Sequence, residues 1–387
     1  MRRAAMTIER VAGRTINRTY TEPRPLSYGA AARQETPMPL RTIDSDAHVL
    51  EIPYSWEFMP EEDRAHQPMV VSYTAGQQRY GSQGNQLKEF WVVDGRIQPK
   101  EANVGYTNTT AEAREMRDID ARLKHMDELE IDVQVLYPTL FLRPITLKPT
   151  VELALVKSYN RWLAEIWKKG KGRLRWVVMP PLLSMDKVRD ELAWAKEHGA
   201  CGVFLRGLEC EKILSDPYFF PLYAAAEEFD LPLCLHSGTN GFAVHDFFVG
   251  DSGFNKFKLA VVGAFHTLIM DGIPSKFPKA RWGFVEVSAQ WIPYAMNDLA
   301  LRFKRRGRRL GTMKDNNMYV ACQVTDDLPD IIKVAGEDNL VVGTDYGHHD
   351  TSTEIEALRL LKQEGKVAPY VVDKILGANA RALYALD

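Results

Sequence analysis

The chain is short of several things, and each shortage narrows the reading. Among 387 residues there are only four cysteines, Cys201, Cys210, Cys234 and Cys322, and no two of them form a CxxC pair. Nothing in that spacing calls for a disulfide, so a reducing cytoplasm is the expected compartment. Cys201 and Cys234 lie in apolar runs and read as buried, inert thiols. No apolar run approaches the ~20 residues that a membrane span needs. Charge of one sign is also lacking: the net charge is -2, which argues against a nucleic-acid or membrane-surface role for the body of the protein. There is no G-x-S-x-G, so no serine nucleophile elbow is expected. Internal repeats and low-complexity blocks are missing too. The first 41 residues are polar, arginine-rich and poor in apolar period, and they lack the apolar core of a signal peptide. They read as a flexible N-terminal arm, 1–41.

What is present, from residue 42 onward, is an alternation of short β-like runs and helical patterns. The runs are TIDSDAHV (42–49), IDVQVLYP (131–138), RLRWVVMP (173–180), ACGVFLR (200–206), LPLCLH (231–236), RWGFVE (281–286), MYVACQV (318–324) and NLVVGTD (339–345). Most are dense in Val, Ile, Leu and Phe, as strands buried on both faces are. Helical patterns separate them, among them VELALVKSYNRWLAEIWKK from residue 151 and DKVRDELAWAKEHG from 186, the latter with Asp186 as the expected N-cap and Gly199 as the stop. Eight strand–helix alternations predict an α/β fold, a parallel (β/α)8 barrel over 42–387. The doubly wound open sheet is disfavoured because no Gly-rich turn follows the first strand. About 80 residues separate the first two strands, far more than a βα loop needs. Residues 53–118 are therefore read as an insertion covering the barrel mouth. Within it, EFWVVDGRIQP (89–99) predicts a hairpin turning at Asp94–Gly95, and Phe90, Trp91 and Tyr106 argue for a packed segment.

Chemistry in such barrels sits at the C-terminal strand ends. Asp46 and His48 are spaced i, i+2 and leave one face of the first strand. His236, Glu286 and Asp345 end the fifth, sixth and eighth. Three carboxylates converging on one low-dielectric mouth call for cations between them. Carboxylate and imidazole together suit Zn, Fe(II) or Mn.

These residues, with the stretches DSDAHVLEIP (44–53), DIDARLKHMDELEIDVQVLYP (118–138), LHSGT (235–239), GIPSKFPKARWGFVE (272–286) and GTDYGHHDTST (343–353), resemble the amidohydrolase superfamily over roughly residues 42–385. The branch is the one related to aminocarboxymuconate-semialdehyde decarboxylase and the resorcylate-type decarboxylases. The resemblance implies a distorted (β/α)8 TIM barrel. It also implies a metal held by a His-x-His or Glu-x-His pair on strand one, a His on strand five and an Asp on strand eight, which map onto Asp46, His48, His236 and Asp345. His348 matches a His that often follows the strand-eight Asp. The chain departs from the pattern in three places. Strand one offers Asp-x-His; Glu286 stands where the decarboxylases carry a catalytic His; and strand four ends in Phe204, Leu205 and Arg206, without the Lys or Glu that bridges two metals in dinuclear hydrolases.

Charge balance favours two ions. Asp46, Glu286 and Asp345 bring three negative charges, which two divalent ions and one hydroxide cancel. Fe or Zn is expected before Mn, with His266 and His348 or His349 as extra ligands. Metal lowers the pKa of bound water to about 7. The expected activity is therefore metal-dependent hydrolysis of an amide, ester, lactone or thioester by attack of metal-bound hydroxide. Asp345, Glu286 and His266 are the expected catalytic groups, and Arg206 and Trp291 the expected substrate contacts. The run RFKRRGRRLG (302–311), with six basic residues in eight positions, makes a coenzyme A thioester one candidate substrate. The alternatives are a non-oxidative decarboxylase of a small unsaturated or aromatic acid, whose carboxylate Arg206 would bind, and a catalytically silent binding barrel. A homodimer is expected, with no nucleic-acid or membrane partner.

Overall fold

A computed structural model describes residues 42–74, 87–100 and 109–386. The chain divides into two units at Pro39/Leu40, and all described residues belong to the second. The N-terminal arm and Tyr106 lie outside them.

All eight predicted runs become strands of one parallel sheet: β1 (Ile43–His48), β2 (Val133–Tyr137), β3 (Leu174–Val178), β4 (Ala200–Arg206), β5 (Leu233–His236), β6 (Trp282–Val285), β7 (Met318–Cys322) and β8 (Leu340–Val342). They are ordered in space as in sequence. Because β8 is short, the sheet closes beyond its end. Asp345 N donates to Asp46 O at 2.9 Å and His48 N to Tyr346 O at 2.9 Å, which makes a distorted, nearly closed (β/α)8 TIM barrel. Gly343 permits this closure. A Cβ there would stand 2.2 Å from Asp46 Cβ, so only glycine lets the end of β8 lie against β1. A register shift between Asp44 and Ala47 bends β1 at the same place.

The outer helices follow from apolar spacing. The helix α1 (Pro149–Lys169) starts on proline at its first turn and buries Val151, Leu155, Tyr159, Trp162 and Ile166 toward the sheet. Next, α2 (Met185–Glu197) begins one residue before the expected cap: Ser184 holds the N-cap position and Asp186 lies in the first turn. It stops before Gly199, whose φ of +87° suits glycine and whose missing Cβ leaves room for the Trp167 ring. The remaining helices that matter for the site are α3 (Phe220–Glu228), α4 (Leu259–Met270), α5 (Ile292–Arg305) and α6 (Leu328–Ala335). The four cysteines are free, and burial pushes the Cys201 thiol up to about 11 and that of Cys234 to about 12.

Between β1 and β2 an antiparallel sheet pairs Met69–Thr74, Leu87–Val93 and Arg96–Pro99. Its hairpin turns at Asp94–Gly95, both at positive φ, as an Asp-Gly type I′ turn requires. Trp91 is buried against Trp56. No helix among the described residues is long and apolar enough to cross a membrane.

Candidate metal centre and substrate cleft

The strand ends bring Asp46, His48, His236, Glu286, Asp345 and His348 together, all of them buried. The geometry of each imidazole decides which nitrogen faces the centre. His48 Nδ1 lies 2.9 Å from the Pro138 carbonyl, and His236 Nδ1 lies 3.1 Å from the Ser237 carbonyl. A carbonyl only accepts, so both Nδ1 atoms carry the hydrogen and both Nε2 lone pairs point inward. Burial, with His348 nearby, pushes the pKa of His48 down to about 3, which keeps it neutral.

Those lone pairs face other acceptors. His48 Nε2 stands 3.4 Å from Asp46 Oδ1 and 3.3 Å from Asp345 Oδ1. His236 Nε2 stands 3.2 Å from Asp46 Oδ1 and 3.3 Å from Glu286 Oε2. His48 Nε2 and Glu286 Oε2 are buried without a hydrogen-bond partner. Buried acceptors turned on one another are costly unless a cation lies among them. Two donors sharing one ion at bond lengths of about 2.0–2.2 Å stand about 2.8–3.6 Å apart, between octahedral and tetrahedral arrangements. The separations found here fall in that range, so the residues fit a divalent metal.

Surrounding contacts hold the donors in place. The Asp44 carboxylate accepts from Asp46 N (3.2 Å), Thr344 N (2.9 Å), Thr344 Oγ1 (2.6 Å) and Gln134 Nε2 (2.9 Å), tying β1 to β2 and to the end of β8. Burial nevertheless raises its pKa to about 6. Thr353 Oγ1 donates to Asp345 Oδ2 at 2.7 Å. His348 stacks on His48 with ring centroids 3.8 Å apart. Thr139 Oγ1 gives its own hydrogen to Val49 O and therefore accepts from His348 Nε2 at 3.0 Å. That leaves His348 Nδ1 facing Asp345 Oδ1 at 2.9 Å. Burial opposes the charged imidazolium there, but Asp345 outweighs it, and the pKa of His348 is raised.

The carboxyls differ. Burial alone would raise Asp46, but His236 and His48 hold it well below the usual carboxylate range. Burial lifts Asp345 to about 6, and burial with Asp345, Asp350 and Asp46 nearby lifts Glu286 well above its ordinary value. Glu286 and Asp345 also take left-handed backbone, φ 60° and 54°, at a cost of roughly 1–3 kcal/mol each. Strain of that kind at two strand ends is characteristic of functional sites.

A cleft of about 560 Å³, its opening included, leads to this centre. Glu51, Thr139, Leu140, Leu142, Arg143, Ser237, Phe257, Glu286, His348 and Asp350 line it, with Trp91, Pro99 and Lys100 from the insertion. Glu51, Thr139, Arg143 and Asp350 were not foreseen from sequence; their only local signal is a place in the loops after β1, β2 and β8. Glu51 is held by Thr139 N (3.1 Å) and Leu140 N (2.9 Å), and burial raises its pKa to about 7. Lys100 pairs with Glu89 at 2.5 Å. The guanidinium of Arg143 forms no ion pair with any described residue, and burial lowers its pKa.

Several expected site residues lie elsewhere. His266 belongs to α4, outside the sheet, where its Nε2 pairs with Asp298 Oδ2 of α5 at 2.8 Å; a helix-to-helix contact keeps it from the mouth. Arg206 is spent on Glu209, with Nε–Oε1 2.9 Å and Nη2–Oε2 2.8 Å, so it has no fork free for a substrate. Trp291 Nε1 donates to Ser288 O at 2.7 Å and its ring packs on Phe265, away from the cleft lining. His349 is exposed. The basic run covers the last turn of α5 and the residues after it; Arg302 pairs with Asp298 at 2.5 Å, and no residue of the run lines the cleft.

Comparison with known proteins agrees with this geometry. The sequence profile of the amidohydrolase family, amidohydrolase-2 type, matches residues 43–386. An amidohydrolase from Mycobacterium avium subsp. paratuberculosis K-10 is similar in structure, with TM-score 0.70 at 18% identity, covering 90% of this chain and 100% of that one. So is 5-carboxyvanillate decarboxylase from Sphingomonas paucimobilis, with TM-score 0.62 at 15% identity over 90% and 100%. The 5-carboxyvanillate decarboxylase of Novosphingobium aromaticivorans DSM 12444, holding manganese and 3-methoxy-4-hydroxy-5-nitrobenzoic acid, gives TM-score 0.59 at 19% identity over 72% and 86%. The expectation of a hydrolase is corrected here, because the specific activities named among these neighbours are decarboxylations. The barrel, the ligand types at its strand ends and the profile match over most of the length show that the chain belongs to the amidohydrolase family and is an enzyme of that superfamily.

Proposed function

We propose that the protein is a metal-dependent, non-oxidative decarboxylase of a small unsaturated or aromatic carboxylic acid. The observation that carries the reading is one cleft that leads to a cluster of metal donors and is lined by Arg143, whose guanidinium forms no ion pair with a described residue. An isolated cation in a half-buried wall calls for an anionic ligand. The decarboxylases among the structural neighbours favour the same class.

We assign one ion, held by His236 Nε2, Asp46 Oδ1, His48 Nε2 and Asp345 Oδ1, whose successive separations are 3.2, 3.4 and 3.3 Å. No carboxylate ends β4, where Arg206 stands, and Glu286, which belongs to both groups of donors, is assigned the proton instead. Manganese suits the donor set and is present in the Novosphingobium relative.

When bound, the ion supplies Lewis-acid polarisation of the substrate oxygens beside the bond that breaks. Arg143 orients the acid, and Trp91 and Phe257 offer apolar walls to a planar body and exclude water. Among the described residues of the insertion, Trp91, Pro99 and Lys100 cover one side of the cleft. As the bond to the carboxylate breaks, CO2 leaves and the electron pair stays on the carbon. Among Asp46, Glu286 and Asp345, only Glu286 lines the cleft. Its carboxyl holds the proton that the carbon takes up, and it regains one from solvent.

The test is product analysis. Manganese-loaded protein is incubated with hydroxybenzoates and unsaturated diacids, and with the matching esters, amides and thioesters. Release of CO2 in step with loss of an acid is expected. Ester, amide or thioester cleavage without CO2 would overturn the reading.

A further inference from the structure

The loop after β2 carries Arg143 and forms one wall of the cleft, and a second cavity lies behind it. Leu140, Leu142 and Arg143 face the site cleft, whereas Phe141, Ile145 and Thr146 face the cavity behind, which Arg206 also lines. The wall is thin, so something must fix it. Arg206 Nη1 donates to Phe141 O at 2.6 Å and to Arg143 O at 3.3 Å, while its other two nitrogens hold Glu209 in a bidentate pair. Glu209 Oε1 also accepts from Arg206 N at 2.8 Å. Both residues are buried. From the far side, Thr239 N donates to Leu142 O at 3.1 Å, and a Cβ on Gly238 would stand 2.7 Å from that same oxygen.

We propose that Arg206 is a positioning residue: with Glu209 as its anchor it clamps the carbonyls of the Arg143-bearing turn and so sets where the Arg143 guanidinium meets the substrate's anionic group. This rests on Arg143 as the substrate's anion contact in the reading above. The forked side chain explains the residue type. Two nitrogens grip the anchor while the third reaches the turn, and a lysine cannot do both. Arg206 stands beside His236 in the register of β4 and β5, so metal content has to be read alongside affinity to separate the clamp from an effect on the metal donors.

The experiment is a double-mutant cycle on the manganese-loaded full chain. Arg206→Lys and Glu209→Gln, which keep most of the local shape, are each made with Arg143 intact and in the Arg143→Gln background. Calorimetry reads affinity for salicylate, an acid that keeps its carboxylate. Metal content and melting temperature are recorded for every variant. Misplacement of a contact by about 1 Å costs up to about 100-fold, so a loss of ten-fold or more is expected with Arg143 present. In the Arg143→Gln background no further loss is expected, and metal content stays constant throughout. In turnover the loss falls on KM more than on kcat. Equal losses in both backgrounds, or no loss in either because the acid ignores Arg143 or does not bind, would overturn the clamp. Acid binding that follows this pattern without CO2 release would sink the decarboxylase reading and leave the clamp standing.

Discussion

Two buried polar clusters sit at the same end of the barrel and behave in opposite ways. Around Arg206 the donors meet acceptors: a carboxylate takes two nitrogens and backbone carbonyls take the third. Around His48 the inward atoms are acceptors facing acceptors, and His48 Nε2 and Glu286 Oε2 have no hydrogen-bond partner. Burial costs the same kind of desolvation in both places. The first cluster is complete without anything added; the second is complete only with a cation. Satisfaction of partners, more than residue type or burial, separates a structural polar cluster from a ligand site.

Breaking each cluster should give different readouts. The largest effect is on metal. Asp46→Ala or His48→Ala should lower metal affinity by at least about 100-fold, from roughly one equivalent to near none by elemental analysis, and abolish turnover while cooperative unfolding persists. Chelation of the unaltered protein should do the same, and added manganese should reverse it. Metal-free protein with full activity would sink the site. Next in size is Glu286→Gln, which should slow turnover by ~10²–10⁴ with metal retained. Metal lost together with rate would make Glu286 a ligand.

The structural cluster should answer in stability. Arg206→Met leaves Glu209 buried and alone and should cost about 3–5 kcal/mol in urea unfolding, most of which the Arg206→Met/Glu209→Met pair restores. Glu286→Gln, by contrast, should leave the metal-free protein no less stable, because burial and the neighbouring carboxylates already lift its carboxyl well above its ordinary value. Similar losses from both changes would erase the distinction. The smallest effect sharpens it. His266→Ala, on the outer helices, should leave metal content unchanged and stability within about 0.5 kcal/mol.

Much of this was legible in order along the chain. The eight strands carry their own period and flanking turns, and the Asp94–Gly95 hairpin is specified by two adjacent residues. Asp46, His48, His236, Glu286 and Asp345 announced themselves as polar residues ending apolar strands, and the barrel brings those ends to one place. The misreadings share a cause. His266 and Arg206 had the right chemistry and the right neighbourhood, but their partners, Asp298 and Glu209, were invisible as partners until the chain folded. The basic run was read by composition, whereas in the fold no residue of it lines the cleft. Two metal ions followed from summing charge; the fold brings the donors into two overlapping groups that share His48 and Glu286.

The sequence by itself determined the barrel, the insertion and the kinds of ligand at the strand ends, because strand and helix periods and turn chemistry are local properties of a few neighbouring residues. Only the tertiary structure decided that the guanidinium of Arg206 is engaged by Glu209, and which nitrogen of each imidazole faces the centre. Those depend on hydrogen-bond partners brought together across the fold, such as Pro138 O for His48 and Phe141 O for Arg206, 90 and 65 residues away along the chain. Desolvation makes such partners decisive: in a buried site an unmet donor or acceptor is costly, and only the folded geometry shows which ones are met.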